Sequence, residues 1–299
     1  MLSQNQIFAS GTRDLADLPL AEAVDSASLI SAGDALALAF LGLLAGCMAL
    51  ERRRPCLRGS LAAVKASYKF NLITFLLNDF TLSLLSLPAL YLAAESFRGL
   101  GLLGGMEDGA LKFLTCFLLL DLTMYAWHYA MHHNDGLWMF HRVHHDDACL
   151  NVTTGLRFHT GEMCLETLTR AAFIVGVGVD SGTVLACQGV ISLFVLMHHA
   201  NLRLPGEQWL SWIFIVPRLH RVHHSTLRAE HDSNYGAVFS FWDRLFGTLK
   251  ELEPAAIGLP PNGARGFVAI LRDGLHTLAA AKGPAPVPVR ANRDRHRPR

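Results

Sequence analysis

The sequence predicts an all-α integral membrane protein of about four transmembrane segments, with a histidine-rich helical cap on the cytoplasmic face. Three observations carry this expectation. Of 299 residues, 51% are hydrophobic and 17% charged, with a mean hydropathy of +0.29, whereas soluble domains carry about 25% charged residues. The apolar residues gather into four long runs. Thirteen of the 15 histidines fall between His128 and His231, at the ends of those runs. Lys+Arg 26 against Asp+Glu 25 leaves a net charge of +1, so no basic field points to a nucleic-acid partner. The six cysteines, at 47, 56, 116, 149, 164 and 187, are dispersed and form no CxxC. They read as small buried hydrophobes rather than a disulfide frame or a thiolate metal site.

Residues 1–28 are polar, without a signal-peptide pattern, and read as an N-terminal tail. Residues 29–110 form a first transmembrane hairpin. Its first arm is uncharged from Ala35 to Leu50, extends back to Leu29 across Ser31 and Asp34, and stops at Glu51-Arg52-Arg53-Arg54-Pro55. A helix of about 20 apolar residues crosses a bilayer core, and 29–50 meets that length. The second arm runs from Leu72 to Ala94, interrupted by Asn78 and Asp79. Gly99-x-Gly101-x-x-Gly104 matches a dinucleotide-binding pattern in letters only; it follows an apolar span, lacks the strand–turn–helix setting and reads as a flexible loop.

Residues 111–252 hold the histidines. A third apolar run, Phe113 to about Met131, ends among them. The fourth, Ala171–Met197, is long enough to cross as one helix, which would put the two copies of His-Arg-Val-His-His, at 141–145 and 220–224, on opposite faces. If both copies build one site the run must turn back, and Asp180-Ser181-Gly182 supplies the turn chemistry. The arms are then at or below the roughly 17-residue minimum for a span, which favours a shallow hairpin. Arg52-Arg53-Arg54 after the first span places that end in the cytoplasm by the positive-inside rule. The third span then returns to the cytoplasmic face, and loop 95–110, with Glu95, Glu107 and Asp108 against Arg98, lies opposite. Residues 253–299 read as an amphipathic segment and a disordered basic tail.

His128 and His132 are four apart on one helix face, and His141, His144, His145 and His220, His223, His224 each stand at i, i+3 and i+4. A neutral imidazole offers one lone pair to a metal, so eight rings in three blocks point to metal binding, enough for two ions with four nitrogens each. Nitrogen-only ligation suits zinc, copper, iron and nickel alike.

The motifs HxxxH, HxxHH and HxxHH around hydrophobic segments, from about Asp121 to Leu249, resemble the membrane-bound fatty acid hydroxylase/sterol desaturase superfamily. The resemblance includes 137–145, Arg157-Phe-His159, His199-Ala-Asn201-Leu-Arg-Leu-Pro205, Asn234-Tyr-Gly236 and Trp242-Asp-Arg-Leu-Phe-Gly-Thr248. It implies a multi-pass enzyme using dioxygen as co-substrate at two iron ions on the cytoplasmic face, hydroxylating or desaturating a fatty acyl, sterol or alkyl-glycerol lipid. The implied ligands are His128, His132, His141, His144, His145, His220, His223 and His224, with His199 as a further family histidine. His198 falls where relatives carry other residues, His133 points away from the stripe, and His231, His276 and His296 carry no motif. No iron–sulfur ligation and no fused cytochrome domain are recognisable, so electrons must come from a separate ferredoxin or cytochrome with its reductase.

An acid within an apolar span usually has a partner. Asp121 lies seven residues before His128, about two turns away on the same face, and is expected to accept a hydrogen bond from a ligand's second ring nitrogen. His159, Asn201 and Asn234 are similar supporting candidates. The class-different alternative is a zinc- or iron-handling transporter or sensor without redox chemistry, which would spread polar residues across the membrane depth. A zinc hydrolase would need an acid beside an open metal site, and no HExxH occurs.

Overall fold

The computed structural model describes residues 26–85 and 87–259. Most of the N-terminal tail, the basic tail, His276 and His296 lie outside the described residues. Within them the chain is helical: α1 (Ser26–Arg53), α2 (Leu61–Leu85), α3 (Leu87–Phe97), α4 (Ala110–His133), α5 (Asp135–His145), a 3-10 helix (Val152–Leu156), α6 (Thr160–Val177), α7 (Ser181–His199) and the short helices α8 (Glu207–Leu210), α9 (Pro217–His223), α10 (Arg228–His231) and α11 (Phe241–Leu245). Three helices are long and apolar enough to cross a membrane, Gly33–Arg53, Ala110–His133 and Ser181–His199, and the pair Leu61–Ser83 and Pro88–Phe97, bent by 48°, makes a fourth. Pro88 follows the break, where a proline removes a helical hydrogen bond and its ring crowds the preceding turn.

Local chemistry explains the boundaries that matter to the site. Arg52 and Arg53 close the last turn of α1, where cations suit the exposed carbonyls, and Pro55 prevents continuation. The Asn134 side chain accepts from Leu137 N at 3.1 Å and starts α5 one residue after α4 ends. The chain therefore changes direction between His132 and His141. Pro217 opens α9 at a position where its missing N–H costs nothing.

The fourth apolar run does turn back, two residues earlier than its polar residues suggest. Gly178 ends α6 in the left-handed conformation at φ 72°, and Asp180 caps α7 by accepting from Thr183 N at 2.9 Å. The returning arm is longer than hydropathy indicates, because α7 continues for 19 residues through His198 and His199. The other arm, α6, carries Glu162, Glu166 and Arg170 and is not apolar enough to count as a span by itself. Gly101 serves this turn, while Gly104 packs against Gly99 within its own loop. Leu102 N and Leu103 N donate to Gly176 O and Val177 O at 2.8 and 2.9 Å, and a Cβ on Gly101 would sit 2.3 Å from the Val177 carbonyl carbon. The glycine pattern is a chain-crossing contact.

One apolar core joins α3, α4, α6, α7 and residues 237–239; a second joins α1, α2, the 3-10 helix and residues 200–204. Between the second core and the cap lies a buried polar clamp. Glu51 at the end of α1 accepts from Val152 N (2.8 Å), Asn201 N (2.7 Å) and the Tyr68 hydroxyl. Asp147 accepts from Ser67, Asn71 and Thr154 side chains. Burial alone would raise the Asp147 carboxyl, but Arg157 and these hydrogen bonds hold it below the usual carboxylate range. All six cysteines are free.

Because α6 and α7 form a hairpin, reporters fused after Arg54 and after Thr248 should lie on the same side of the membrane, and one inserted between Phe97 and Glu107 on the other. Disagreement between the first two would contradict the turn at Gly178.

Candidate metal centre

Nine imidazoles form two adjoining groups: His128, His132, His141, His145 and His223 in one, and His144, His199, His220 and His224 in the other, with the candidate ligand atoms of each group within 4.8 Å of one another. Four chain segments deliver them. His128 and His132 stand on the last turns of α4, His141–His145 on α5, His199 at the end of α7, and His220–His224 on α9 and its C-terminal cap.

The two HRVHH copies are used reciprocally. In α5 the i, i+4 pair His141 and His145 enters the first group and His144 the second; in α9 the pair His220 and His224 enters the second group and His223 the first. Each three-ring stripe is thus divided between the groups rather than committed to one. The seam is tight: the His145 and His224 rings stack at 4.6 Å and 20°, and His145 and His223 meet edge-on at 4.6 Å.

The outer nitrogens set which nitrogens face inward. His128 Nδ1 lies 2.9 Å from Tyr235 O, His132 Nδ1 3.1 Å from Asp232 Oδ1, and His141 Nδ1 2.7 Å from Glu162 Oε1. His144, His199 and His223 reach the backbone oxygens of Arg157, Val195 and Ser233 through Nδ1 at 3.2, 2.6 and 2.7 Å. A backbone carbonyl or carboxylate oxygen can only accept, so each of these six Nδ1 atoms donates, and the Nε2 lone pair is left for the interior. The Nε2 atoms of His132, His145 and His223 are buried without a hydrogen-bond partner. Others converge on one another: His128 and His141 at 3.1 Å, His144 and His199 at 3.0 Å, His199 and His220 at 2.8 Å, and His220 and His224 at 3.1 Å. Two nitrogens each about 2.1 Å from a common ion at a right angle would be about 3.0 Å apart, so this donor set fits two first-row divalent ions.

Burial also favours the metal-binding protonation state. It brings His141 down to about 3, and burial with the neighbouring imidazoles holds His144, His145, His220, His223 and His224 well below an ordinary histidine. These rings are neutral and their lone pairs available.

The supporting residues differ from the sequence reading. Asp121 reaches no imidazole. Its carboxylate accepts from Val238 N (2.9 Å), Phe239 N (3.3 Å) and Trp242 Nε1 (2.9 Å). It faces along the helix toward residues 238–242, which fill the space that a same-face argument assigns to His128. Its connection to the site is indirect: it fastens the segment whose Tyr235 carbonyl receives His128. Asp243 fastens the same segment by accepting from Tyr235 N and Gly236 N. His159 caps α6, its Nδ1 accepting from Gly161 N at 2.9 Å. Asn201 pairs with Leu57 N and O at 2.7 and 2.8 Å and ties the chain after α7 to that after α1. Asn234, at φ 55°, donates to Leu219 O and Lys250 O.

The carboxylates that do touch the rings are Glu162 and Asp232. Neither was singled out from the sequence: Glu162 is one of several acids and Asp232 merely adjoins His231, and neither lies in a histidine block. His231, which carries no motif, is buried, stacks on Trp138 at 5.3 Å and 18°, and forms a third close set with His132 and Asp232. His198 is buried against His220, with ring centroids 4.1 Å apart. His133 is exposed, as its helix position implies.

Asp121→Asn replaces an acceptor-only group that serves three donors. It should lower stability by about 1–3 kcal/mol, the cost of buried groups left badly paired. Thermal unfolding in detergent measures this, and an unchanged midpoint would contradict the anchoring role.

Residues 113–248 match the fatty acid hydroxylase family. The ornithine lipid hydroxylase of Rhizobium tropici is 32% identical over 164 residues, covering 52% of this chain and 47% of the relative. The alkylglycerol monooxygenase of Homo sapiens is 27% identical over 164 residues (51% and 34%), and methylsterol monooxygenase 1 of Danio rerio is 30% identical over 143 residues (44% and 45%). The chain spans less than half the length of each of these relatives. No solved structure matches it. The matched span contains all nine clustered histidines; over it, the chain is similar to the fatty acid hydroxylase family and to relatives named as lipid hydroxylases and monooxygenases.

Proposed function

We propose that this protein is a membrane-bound, dioxygen-dependent non-haem di-iron enzyme that hydroxylates or desaturates a membrane lipid, with residues 111–252 as its catalytic domain. One observation carries the reading: both histidine groups open onto the same largely apolar cavity. This cavity, about 280 Å³, is lined by His128 and His141 of the first group, His144, His199 and His220 of the second, and apolar side chains of α4 and α7. A metal store or sensor has no need of such a chamber, whereas oxidation of an alkyl chain requires one.

His128, His132, His141, His145 and His223 would hold one iron, and His144, His199, His220 and His224 the other. When bound, the pair would supply dioxygen activation for attack on a C–H bond. Trp127, Met131, Ile191 and Val195 line the cavity and exclude water, so a chain entering from the bilayer exchanges one apolar surrounding for another. Glu162 and Asp232 orient His141 and His132. Hydroxylation with dioxygen consumes two electrons and two protons, and no redox group is recognisable in the sequence to provide the electrons. A ferredoxin or cytochrome with its reductase fills that role. The Arg52-Arg53-Arg54 run at the end of α1 supports a cytoplasmic site.

Metal analysis of detergent-purified protein from iron-replete cells should give about two irons per chain, since one ion takes about four to six ligands. One metal per chain, or zinc alone in active protein, overturns the di-iron assignment. His144→Ala and His223→Ala, one in each group, should each abolish lipid oxidation while the protein remains in the membrane. Glu162→Gln keeps the shape and loses the charge, and should weaken metal affinity or activity by about 10–100-fold.

A further inference from the structure

Two short segments beyond the long helices carry exposed apolar side chains. Leu210, Trp212 (62% exposed) and Ile213 stand at the end of α8 and just after it, and Leu245 and Phe246 at the end of α11. The segments are joined: Ser240 N donates to Ile213 O at 2.9 Å, Ile215 N to Val238 O at 2.8 Å, and the Arg244 side chain to Ser211 O at 3.1 Å.

Their depth is set by α4. From Tyr235, whose carbonyl meets His128, the chain descends to Phe239, whose ring meets Phe117 edge-on at 5.9 Å. It climbs again through Trp242, bonded to Asp121, to Phe246, stacked on Tyr125 at 5.2 Å. Phe117 lies eleven residues before His128, about 16 Å at 1.5 Å per residue, and Asp121 stands near the middle of the Ala110–His133 span. Residues 236–246 thus run beside the middle of a membrane helix, not above its end. Phe214 meets α7 in the same way, its ring 5.3 Å from that of Phe194.

Irregular backbone is tolerated at membrane depth where its polar groups are satisfied within the protein. Val238 N and Phe239 N donate to Asp121, and Gly236 N to Asp243. A carboxylate in the middle of an apolar span has its use here, as the acceptor for a descending loop. Arg244, the only cation of the two segments, lies over the Trp212 ring at 4.4 Å. Leu114 and Leu118 of α4 are exposed at the same depth, so the loop extends the apolar surface of the span.

We propose that residues 210–213 and 241–246 form a re-entrant membrane surface, which enters the bilayer from the histidine end of α4 and reaches about the middle of the span. Trp212, Ile213, Leu245 and Phe246 then lie against acyl chains. The inference concerns membrane contact and is independent of the oxidation reading.

The test uses the full chain in phosphatidylcholine nanodiscs, whose two faces are both open to solutes. Trp212 emission is measured as the difference between the unmodified protein and Trp212→Phe. Lipid brominated midway along its acyl chains should abolish most of that difference, and aqueous iodide should leave it unchanged. Quenching by iodide overturns the proposal, because the surface then faces water. Quenching by neither also overturns it, because protein, such as a second copy of this chain, then covers the patch. Leu245→Cys examines the other segment. It should add no reaction with a membrane-impermeant maleimide in intact nanodiscs and a single label after denaturation, counted by mass. Glu253→Cys, at an exposed position past the loop, should add its label in both states. Labelling of Leu245→Cys in intact nanodiscs overturns the proposal whether or not Trp212→Phe folds.

Discussion

A buried imidazole has two nitrogens to satisfy, and when nine such rings share a dry volume the outer nitrogen of each controls the inner one. An Nδ1 that donates to an oxygen leaves an open lone pair on Nε2. Six of the nine rings are held in this way by Tyr235, Asp232, Glu162, Arg157, Val195 and Ser233. These oxygens come from a helix interior, a helix start and irregular chain, so the segments around the centre must arrive at fixed positions. The rest of the cap follows from that requirement. Asp121 and Asp243 fasten residues 235–239, and Asn234 locks the chain between α9 and Lys250. Uncompensated, the inward lone pairs would oppose folding; a bound cation turns the same arrangement into a source of stability.

The helices reach this centre by ending at it. α4 and α7 both terminate in histidine pairs, so the last turn of each apolar helix also carries imidazoles of the candidate centre. That geometry needs α7 to run back toward the end of α4, which the Gly178–Asp180 turn arranges. The opposite end of the bundle is held by the Gly101–Gly178 approach, where two backbones meet with no side chain between them. Glu51 then ties the end of α1 to the 3-10 helix and to the chain after α7. The same clamp region includes Arg157, whose side chain donates to Val143 O at 2.7 Å and whose carbonyl receives His144. Membrane helices and metal-site geometry are coupled through these few polar residues.

The cavity follows from the same design. Because the imidazoles occupy the ends of the spans, the space beneath them is walled by helices whose side chains already suit a hydrocarbon environment. The α6 wall breaks this pattern with Glu162, Glu166 and Arg170, and a helix carrying that stripe cannot face the bilayer freely; it faces the cavity instead. The deviation from apolar character that keeps α6 from reading as a span is what makes one side of the chamber polar.

Local and periodic features were legible in the sequence. Hydropathy and length marked the spans, and the i, i+3, i+4 and i, i+4 spacings marked eight of the nine histidines that the structure brings into two groups, because helix geometry makes spacing equivalent to position on a face; His199 has no such spacing and came only from the family resemblance. The turn within 171–197 was legible as well, though hydropathy understated α7 by excluding its two terminal histidines. What the sequence alone left open was every pairing between distant segments. Asp121 was placed on the right helix face and given the wrong partner, since residues 238–242, more than a hundred positions away, occupy that face. Glu162, Asp232 and His231 carried no spacing relation to the rings they touch. The division of each HRVHH copy between the two groups likewise required the other helix to be present. Spacing determines which side chains share a face. Which atoms that face meets is decided only when non-local segments pack, because hydrogen-bond partners are fixed by distance in space and not by separation along the chain.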